Sequence, residues 1–259
     1  MSQKRQVEPD WVVRTHVVGL SAGTSIPPHT HDWDQLVYAS RGVLSVQAEA
    51  GAWVVPPERA VWVPAGTEHA LETSGSVRLA TLYLSPDLPL RLPRRCTVVH
   101  IAPLVRELIL HTTREGMLDR GVPRHRRLLE FLLDQLSELP SVPLRLPSPS
   151  DPRARKAASL LRSDPAISAS AEELAQAAGA SKRTLERLFL TETGLTFGRW
   201  RQQLRLLEAL KRLAAGEPVT TVALRVGYES PSAFISMFRG ALGETPGRYY
   251  SAPAQRASG

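Results

Sequence analysis

Apolar positions in the first hundred residues fall into short runs at 12–20, 35–39, 43–48, 53–55, 60–63, 70–72 and 77–84, rich in Val, Leu, Trp and Tyr. Turn formers separate them: Gly23, Pro27-Pro28, Arg41-Gly42, Gly51, Pro56-Pro57, 64–66 and Ser74-Gly75. Many short strands at fairly regular spacing predict a β-sandwich or small barrel. From about Val98 the period lengthens. Leu104, Leu108 and Ile109, then Leu128, Leu129, Leu132, Leu133 and Leu136, follow helical spacing and predict helices over 102–114 and 124–139. The second leucine stripe fits either a dimer contact or packing back on the strands. Pro140, Pro143, Pro147, Pro149 and Pro152 follow, which predicts a semi-rigid linker with little to bury.

Charge divides at the same place. Residues 1–152 hold 16 Lys/Arg against 16 Asp/Glu, and residues 153–259 hold 16 against 9, so the entire net charge of +7 lies in the last 107 residues. A basic unit joined to a neutral one suits a polyanionic partner, though solubilising surface charge gives the same imbalance. Cys96 is the one cysteine, so no intramolecular disulfide forms. The first residues, MSQKRQVEPDW, lack the apolar core of a secretory signal, and no apolar run reaches membrane-spanning length. A cytoplasmic protein is expected, with no membrane partner.

The basic region contains an internal repeat. Ala175, Gly179, Ser181, Leu185, Phe189, Gly194 and Thr196 recur as Ala223, Gly227, Ser230, Phe234, Phe238, Gly243 and Thr245, offset by 48 and then 49 residues. Arg199-Trp200 is echoed by Arg248-Tyr249. In each copy a short apolar helix stops at a glycine suited to the left-handed conformation. Ser181 or Ser230 can then cap a second helix that buries two residues at i, i+4. These are helix-turn-helix units, joined by a long helix of about 198–214; such a motif enters the major groove with its second helix.

Residues of about 153–251 resemble the AraC/XylS-type DNA-binding domain, in the segments ISASAEELAQAAGASKRTLERLFLTETGLTFGRW and VTTVALRVGYESPSAFISMFRGALGETPGRYY. The resemblance implies two recognition helices on adjacent major-groove segments of double-stranded DNA, spaced by roughly 34 Å. Carried onto this chain, Ser181, Lys182, Arg183, Glu186 and Arg187 belong to the first DNA-contacting set. Ser230, Pro231, Ser232, Ala233, Ser236 and Arg239 belong to the second. Arg183 and Arg187 can pair with guanine, Glu186 can accept from cytosine, and Arg239 is placed for phosphate. The second set departs from the family's larger polar groups, which implies weaker base discrimination there or dependence on DNA shape. For each polar residue, a merely solvated helix face is the alternative.

In the neutral region His29 and His31 alternate, and the spacing Gly23-x5-His29-x-His31-x3-Gln35-x6-Gly42, with Pro64-x-Gly66-x2-His69 downstream, resembles the two cupin motifs over about 12–85. The resemblance implies a double-stranded β-helix, or jelly-roll, barrel whose histidines hold a metal. Three departures are plain: Gln35 for the usual Glu, Glu58 for a usual Gly and Thr73 for a usual Asn. His29, His31, Gln35 and His69 are the candidate ligands for a divalent transition ion, Zn, Ni, Fe or Cu; the alternative is that they only line a pocket. His16, His100, His111 and His125 lack such spacing and are expected at the surface or in packing. Trp33, Tyr38, Trp53, Trp62 and Tyr83 are candidate walls for a small effector, and equally candidates for the core.

The expected fold is α+β and multidomain: a cupin-like sensing domain over 1–97, a helical segment with a candidate homodimer contact over 98–139, a linker over 140–152 and an all-α double helix-turn-helix domain over 153–259. The leading function is a sequence-specific DNA-binding transcription regulator modulated by a small molecule or metal, not an enzyme. Two alternatives stand beside it: a metal-dependent cupin oxygenase or isomerase with a DNA-binding appendage, and a constitutive DNA-binding protein with a structural barrel. Neither a phosphate-binding glycine loop nor a nucleophile-elbow motif is present to favour catalysis.

Overall fold

The computed structural model describes residues 10–48, 51–142 and 144–251. Strands β1 (Trp11–Leu20), β2 (Ser25–His29), β3 (Asp34–Ala48), β4 (Gly51–Val55), β5 (Arg59–Val63), β6 (His69–Leu84) and β7 (Thr97–His100) come first. Helix α1 (Pro103–Glu115), β8 (Leu118–Asp119) and α2 (Pro123–Ser137) follow, then the short strands β9 (Ser141–Val142) and β10 (Arg145–Pro147). The remainder is helical: α3 (Pro152–Ser163), α4 (Ala171–Ala177), α5 (Lys182–Thr193), α6 (Phe197–Ala214), α7 (Val219–Arg225), α8 (Pro231–Leu242) and α9 (Pro246–Ser251). Among the described residues no helix is long and apolar enough to cross a membrane.

The long strands β3 and β6 pair with each other along nearly their whole length and carry two flanks. One runs β8-β1-β6-β3-β5-β7-β9; on the other, β2 joins β6, while β4 joins β3 and β10. The sequence runs 35–39 and 43–48 are one strand because Arg41-Gly42 is a bulge and not a turn: the β3–β6 register shifts there. Gly42 (φ 82°) is required, since a Cβ would lie 2.4 Å from the Ser76 carbonyl oxygen. Strand β2 also departs from expectation, because Pro27-Pro28 sit between its paired positions, Ile26 with Leu71 and His29 with His69. A proline costs nothing where no ladder N–H is needed.

Alternation sends successive residues to opposite faces. Val37, Val61, Val63 and Leu79 from one flank share a core with Val46, Trp53 and Leu71 from the other. The opposite face of the first flank buries Leu36, Tyr38, Trp62 and Leu82 under α1 and α2. Leu129, Leu132, Leu133 and Leu136 belong to that layer, so the leucine stripe is spent on the sheet. Phe131, 44% exposed, faces out instead.

The proline-rich stretch is not a free linker. Leu144 and Leu146 are buried, β9 pairs with β7, and β10 pairs with β4. Pro143 lies outside the described residues. The core beneath β4 continues into the helices: Trp200 is fully buried and donates its indole N–H to the Pro147 carbonyl at 2.8 Å.

Candidate functional site

The repeat reappears as matched hydrogen bonds. After α4 and α7 the chain turns at Gly179 (φ 76°) and Gly227 (φ 86°). Ala180 N–H then donates to the Ala175 carbonyl and Tyr228 N–H to the Ala223 carbonyl, both at 2.9 Å. Ser181 accepts from Thr184 N–H and Ser230 from Ala233 N–H, both at 3.2 Å, so each serine caps the helix that follows. Pro231 opens α8, where its missing N–H and fixed φ suit the first helical position. Both second helices end at left-handed glycines, Gly194 and Gly243. Leu185 and Phe189 in α5, and Phe234 and Phe238 in α8, are fully buried.

Burying those faces turns the others outward. Ser181, Lys182, Arg183, Glu186 and Arg187 are exposed on α5; Ser232, Ala233, Ser236 and Arg239 are exposed on α8, with Ser230 and Pro231 half-buried. Among the described residues no carboxylate pairs with Lys182, Arg183, Arg187 or Arg239, so the positive charge on these helices is not neutralised from within. Arg120, Arg124, Arg153, Arg212 and Arg225 all have carboxylate partners.

Helix α6, 18 residues and about 27 Å long, spaces the two pairs. Its Arg201 donates to the carbonyls of Ala169, at 2.8 Å, and Ile167. Arg205 donates through Nε to the Pro165 carbonyl at 3.1 Å and lies 5.7 Å from the Tyr228 ring centroid. The Arg205 guanidinium fills the space a Gly227 side chain would occupy. One side chain therefore touches the loop before the first pair and the turn of the second. Sequence reasoning missed this clamp, and its signal was two arginines at i, i+4 in a helix with an apolar face.

In the sheet, the rings of His29, His31 and His69 gather with centroids 4.3 to 6.2 Å apart. Each Nδ1 meets a backbone carbonyl, of Pro27, Trp33 and Thr67 respectively. A carbonyl on Nδ1 fixes the proton there, which in His29 and His69 leaves the Nε2 lone pair free. His31 Nε2 lies 3.0 Å from Gln35 Oε1, and Gln35 Nε2 donates to the Tyr83 hydroxyl at 3.1 Å. His69 Nε2 is buried without a partner, and burial holds that imidazole below its ordinary pKa, the Thr67 carbonyl opposing. Even so, among the described residues no three His, Cys, Asp or Glu side chains are arranged to hold a metal ion. The two other departures from the cupin pattern have local roles. Thr73 donates its hydroxyl to the Ser21 carbonyl at 2.7 Å and accepts from Thr24 N–H. Glu58 keeps the left-handed backbone (φ 59°) that a glycine would adopt freely.

The candidate aromatics divide. Trp33 and Tyr83 line a cavity of about 490 Å3 together with Arg14, His16, His31 and Met117. Tyr38 and Trp62 do not line it, because alternation points them into the layer under α1 and α2. Burial there pushes the Tyr38 hydroxyl up to about 12, and Trp62 donates to the Pro93 carbonyl at 3.0 Å. Trp53 lies where the sheet meets the helices, with Arg145 5.6 Å from its ring centroid. Arg14 and Met117 escaped the sequence reading, and His16 counted there as surface or packing. Of the remaining histidines, His125 Nδ1 accepts from Asp119 N–H, His100 meets Arg59, and the half-buried His111 lies 3.6 Å from Glu115.

Residues 174–252 match a helix-turn-helix domain family, and residues 16–197 match the AraC-like ligand binding domain. The HTH-type transcriptional regulator NimR of Escherichia coli K12 is 39% identical over 233 residues, covering 89% of this chain and 85% of NimR. The regulator RipA of Corynebacterium glutamicum is 40% identical over 108 residues, 40% of this chain and 33% of RipA. A solved AraC-type transcriptional regulator from Chromobacterium violaceum shares 28% identity over 40% of this chain and 95% of its own, with a TM-score of 0.37.

Proposed function

The chain belongs to the AraC family of helix-turn-helix transcription regulators, and from that premise we propose that it reads adjacent major-groove segments with α5 and α8 under control of a small molecule held in the sheet. It is a DNA-binding regulator with a ligand-binding domain. The 1–97 region acts as a cupin-type jelly-roll sensor, the 98–139 helices brace it, and residues 153–259 hold two helix-turn-helix units. The carrying observation is the pair of matched, serine-capped turns that expose unpaired Lys182, Arg183 and Arg187 on the first recognition helix.

The two units differ in what they offer DNA. Arg183 and Arg187 stand one turn apart on α5 and suit bidentate pairing with guanine, with Glu186 beside them as an acceptor for cytosine. Helix α8 offers Ser232, Ala233 and Ser236, small groups that suit methyl contacts and groove shape, with Arg239 on phosphate. Base discrimination therefore concentrates in the first unit. Recovery of bound fragments from random DNA gives the operator, and titration of Arg187→Ala against it tests the assignment. The expected loss is about 1–3 kcal/mol, with relaxed preference at one or two adjacent positions. Unchanged affinity and preference remove Arg187 from the interface.

His29, His31 and His69, with Gln35 as a neutral fourth group, are the candidate set for a divalent ion such as Zn, Ni, Fe or Cu; the anchored Nδ1 atoms and the orphaned His69 Nε2 support it, and the hydrogen bond between His31 Nε2 and Gln35 Oε1 opposes it. The side chains as they stand do not form a ligand cluster, so the regulatory reading takes no step through a metal. Family membership favours regulation over the oxygenase or isomerase alternative. A homodimer, if formed through the central helices, uses Phe131 and Leu104, which face out, and not the buried leucine stripe.

A further inference from the structure

The cavity beside β1 resting on this sensor reading has a definite chemical character. Cross-strand pairing sets Arg14 beside Tyr83, and His16 follows on the same face of β1. The lining holds one fixed cation, Arg14, together with ring side chains, Thr15 and Met117, and no Asp or Glu contributes to it. Arg14 stacks over Trp33 with its guanidinium carbon 4.4 Å from the ring centroid. Stacking uses the face of a guanidinium and leaves its in-plane N–H groups free to donate. Among the described residues no carboxylate or hydrogen-bond acceptor occupies Arg14, and none occupies the His16 ring.

We propose that this cavity takes a small, flat monoanion of the aromatic carboxylate class, with its acid group on Arg14 and His16 and its ring against Trp33, Tyr83 and Met117. The unneutralised guanidinium supplies a bidentate, charge-assisted anchor. The indole, phenol and thioether supply an apolar wall suited to a ring. A volume of about 490 Å3 accommodates a one-ring acid with space for substituents. A cationic effector meets Arg14 with the wrong charge. A polyol finds too few acceptors in a lining composed mainly of donors and ring faces.

Fluorine NMR line broadening of 4-fluorobenzoate, with neutral 4-fluorobenzamide as its isostere, tests the class on the full-length protein. The acid is expected to bind at least about tenfold more tightly than the amide. Arg14→Gln is expected to erase that difference, and Trp33→Leu to weaken both probes. Arg41→Gln, outside this cavity, is expected to behave as wild type. Melting temperatures of the variants report folding, which the exposed Arg14 site leaves intact. Equal binding of acid and amide, discrimination retained in Arg14→Gln, or no broadening by either probe overturns the anion class. DNA preference measured on the same preparations separates the failures: an intact preference leaves the regulator standing without this effector class, and a lost one removes the regulator itself.

Discussion

Replacing Gly227 by alanine is expected to cost far more than the same change at Gly179, although the two glycines hold equivalent places in the repeat. Both have left-handed backbones, φ 86° and 76°, so a Cβ imposes a conformational cost of about 1–2 kcal/mol at either site. Around Gly179 nothing lies within 4 Å of the new atom. At Gly227 it would meet Arg205 Nη2 at 2.5 Å, Cζ at 2.8 Å and the Ala166 Cα at 3.0 Å. The guanidinium must swing away. That forfeits its hydrogen bond to the Pro165 carbonyl, worth about 1.5–3 kcal/mol for a charged donor, and its place beside Tyr228, worth about 0.5–1 kcal/mol. Relaxation of a flexible, half-exposed side chain returns part of this, which leaves an expected gap between the variants of about 2 kcal/mol. Urea unfolding followed by circular dichroism measures the gap as a midpoint difference at constant slope. A double-mutant cycle sharpens it: once Gly227→Ala has displaced the guanidinium, Arg205→Met is expected to add little. Equal losses at the two glycines, or simple additivity with Arg205→Met, would refute the clamp.

Three further outcomes follow from groups already described. Trp200→Phe keeps a ring in the core but removes the donor to the Pro147 carbonyl, so denaturant titration is expected to give a loss of about 1–3 kcal/mol; a change within error would mean that water replaces the indole there. The Cys96 thiol is buried and its pKa is pushed up to about 11 by that burial, so Ellman's reagent at neutral pH is expected to report unfolding, and immediate stoichiometric reaction contradicts this. His100 is held below its ordinary 6.5 by burial and then by Arg59. The unfolded chain therefore binds the extra proton first, and stability, level above 6.5, falls as pH drops below it and through the folded value. His69 acts in the same sense, so His100→Gln is expected to shallow the slope, and an unaltered slope refutes the contribution.

The helical half was readable because its signals are local. A serine cap, a left-handed glycine and two large residues at i, i+4 each specify their own few residues, and the second copy checks the first. The sheet depends on partners remote in sequence. Arg41-Gly42 and Ser74-Gly75 have turn composition, yet both lie within the long strands β3 and β6, because Gly42 sits against Ser76 in a bulge that only the folded sheet creates. Val98 and Val99 were absorbed into a helical period although they pair with β5. The cavity was half legible. Alternation along β3 already assigned Gln35 and Tyr38 to opposite faces, and grouping aromatics by type obscured it. Arg14 carried a usable signal, a lone cation inside an apolar strand.

The strand β10 gives the connection between the two halves an unexpected economy. With Pro147 bonded into the sheet and the backbone N–H groups of Ser150 and Asp151 held by Glu192 of α5, the chain between β10 and α3 is only four residues, a reach of at most about 14 Å. Undocking the lobes would leave them at high mutual concentration, ready to reseat. So short a tether favours tilting one lobe on the other over releasing it. Grafting the sheet-rich half onto a foreign partner calls for a cut after Pro147, since an earlier one strips β4 of β10, leaves it only β3, and uncovers Trp53.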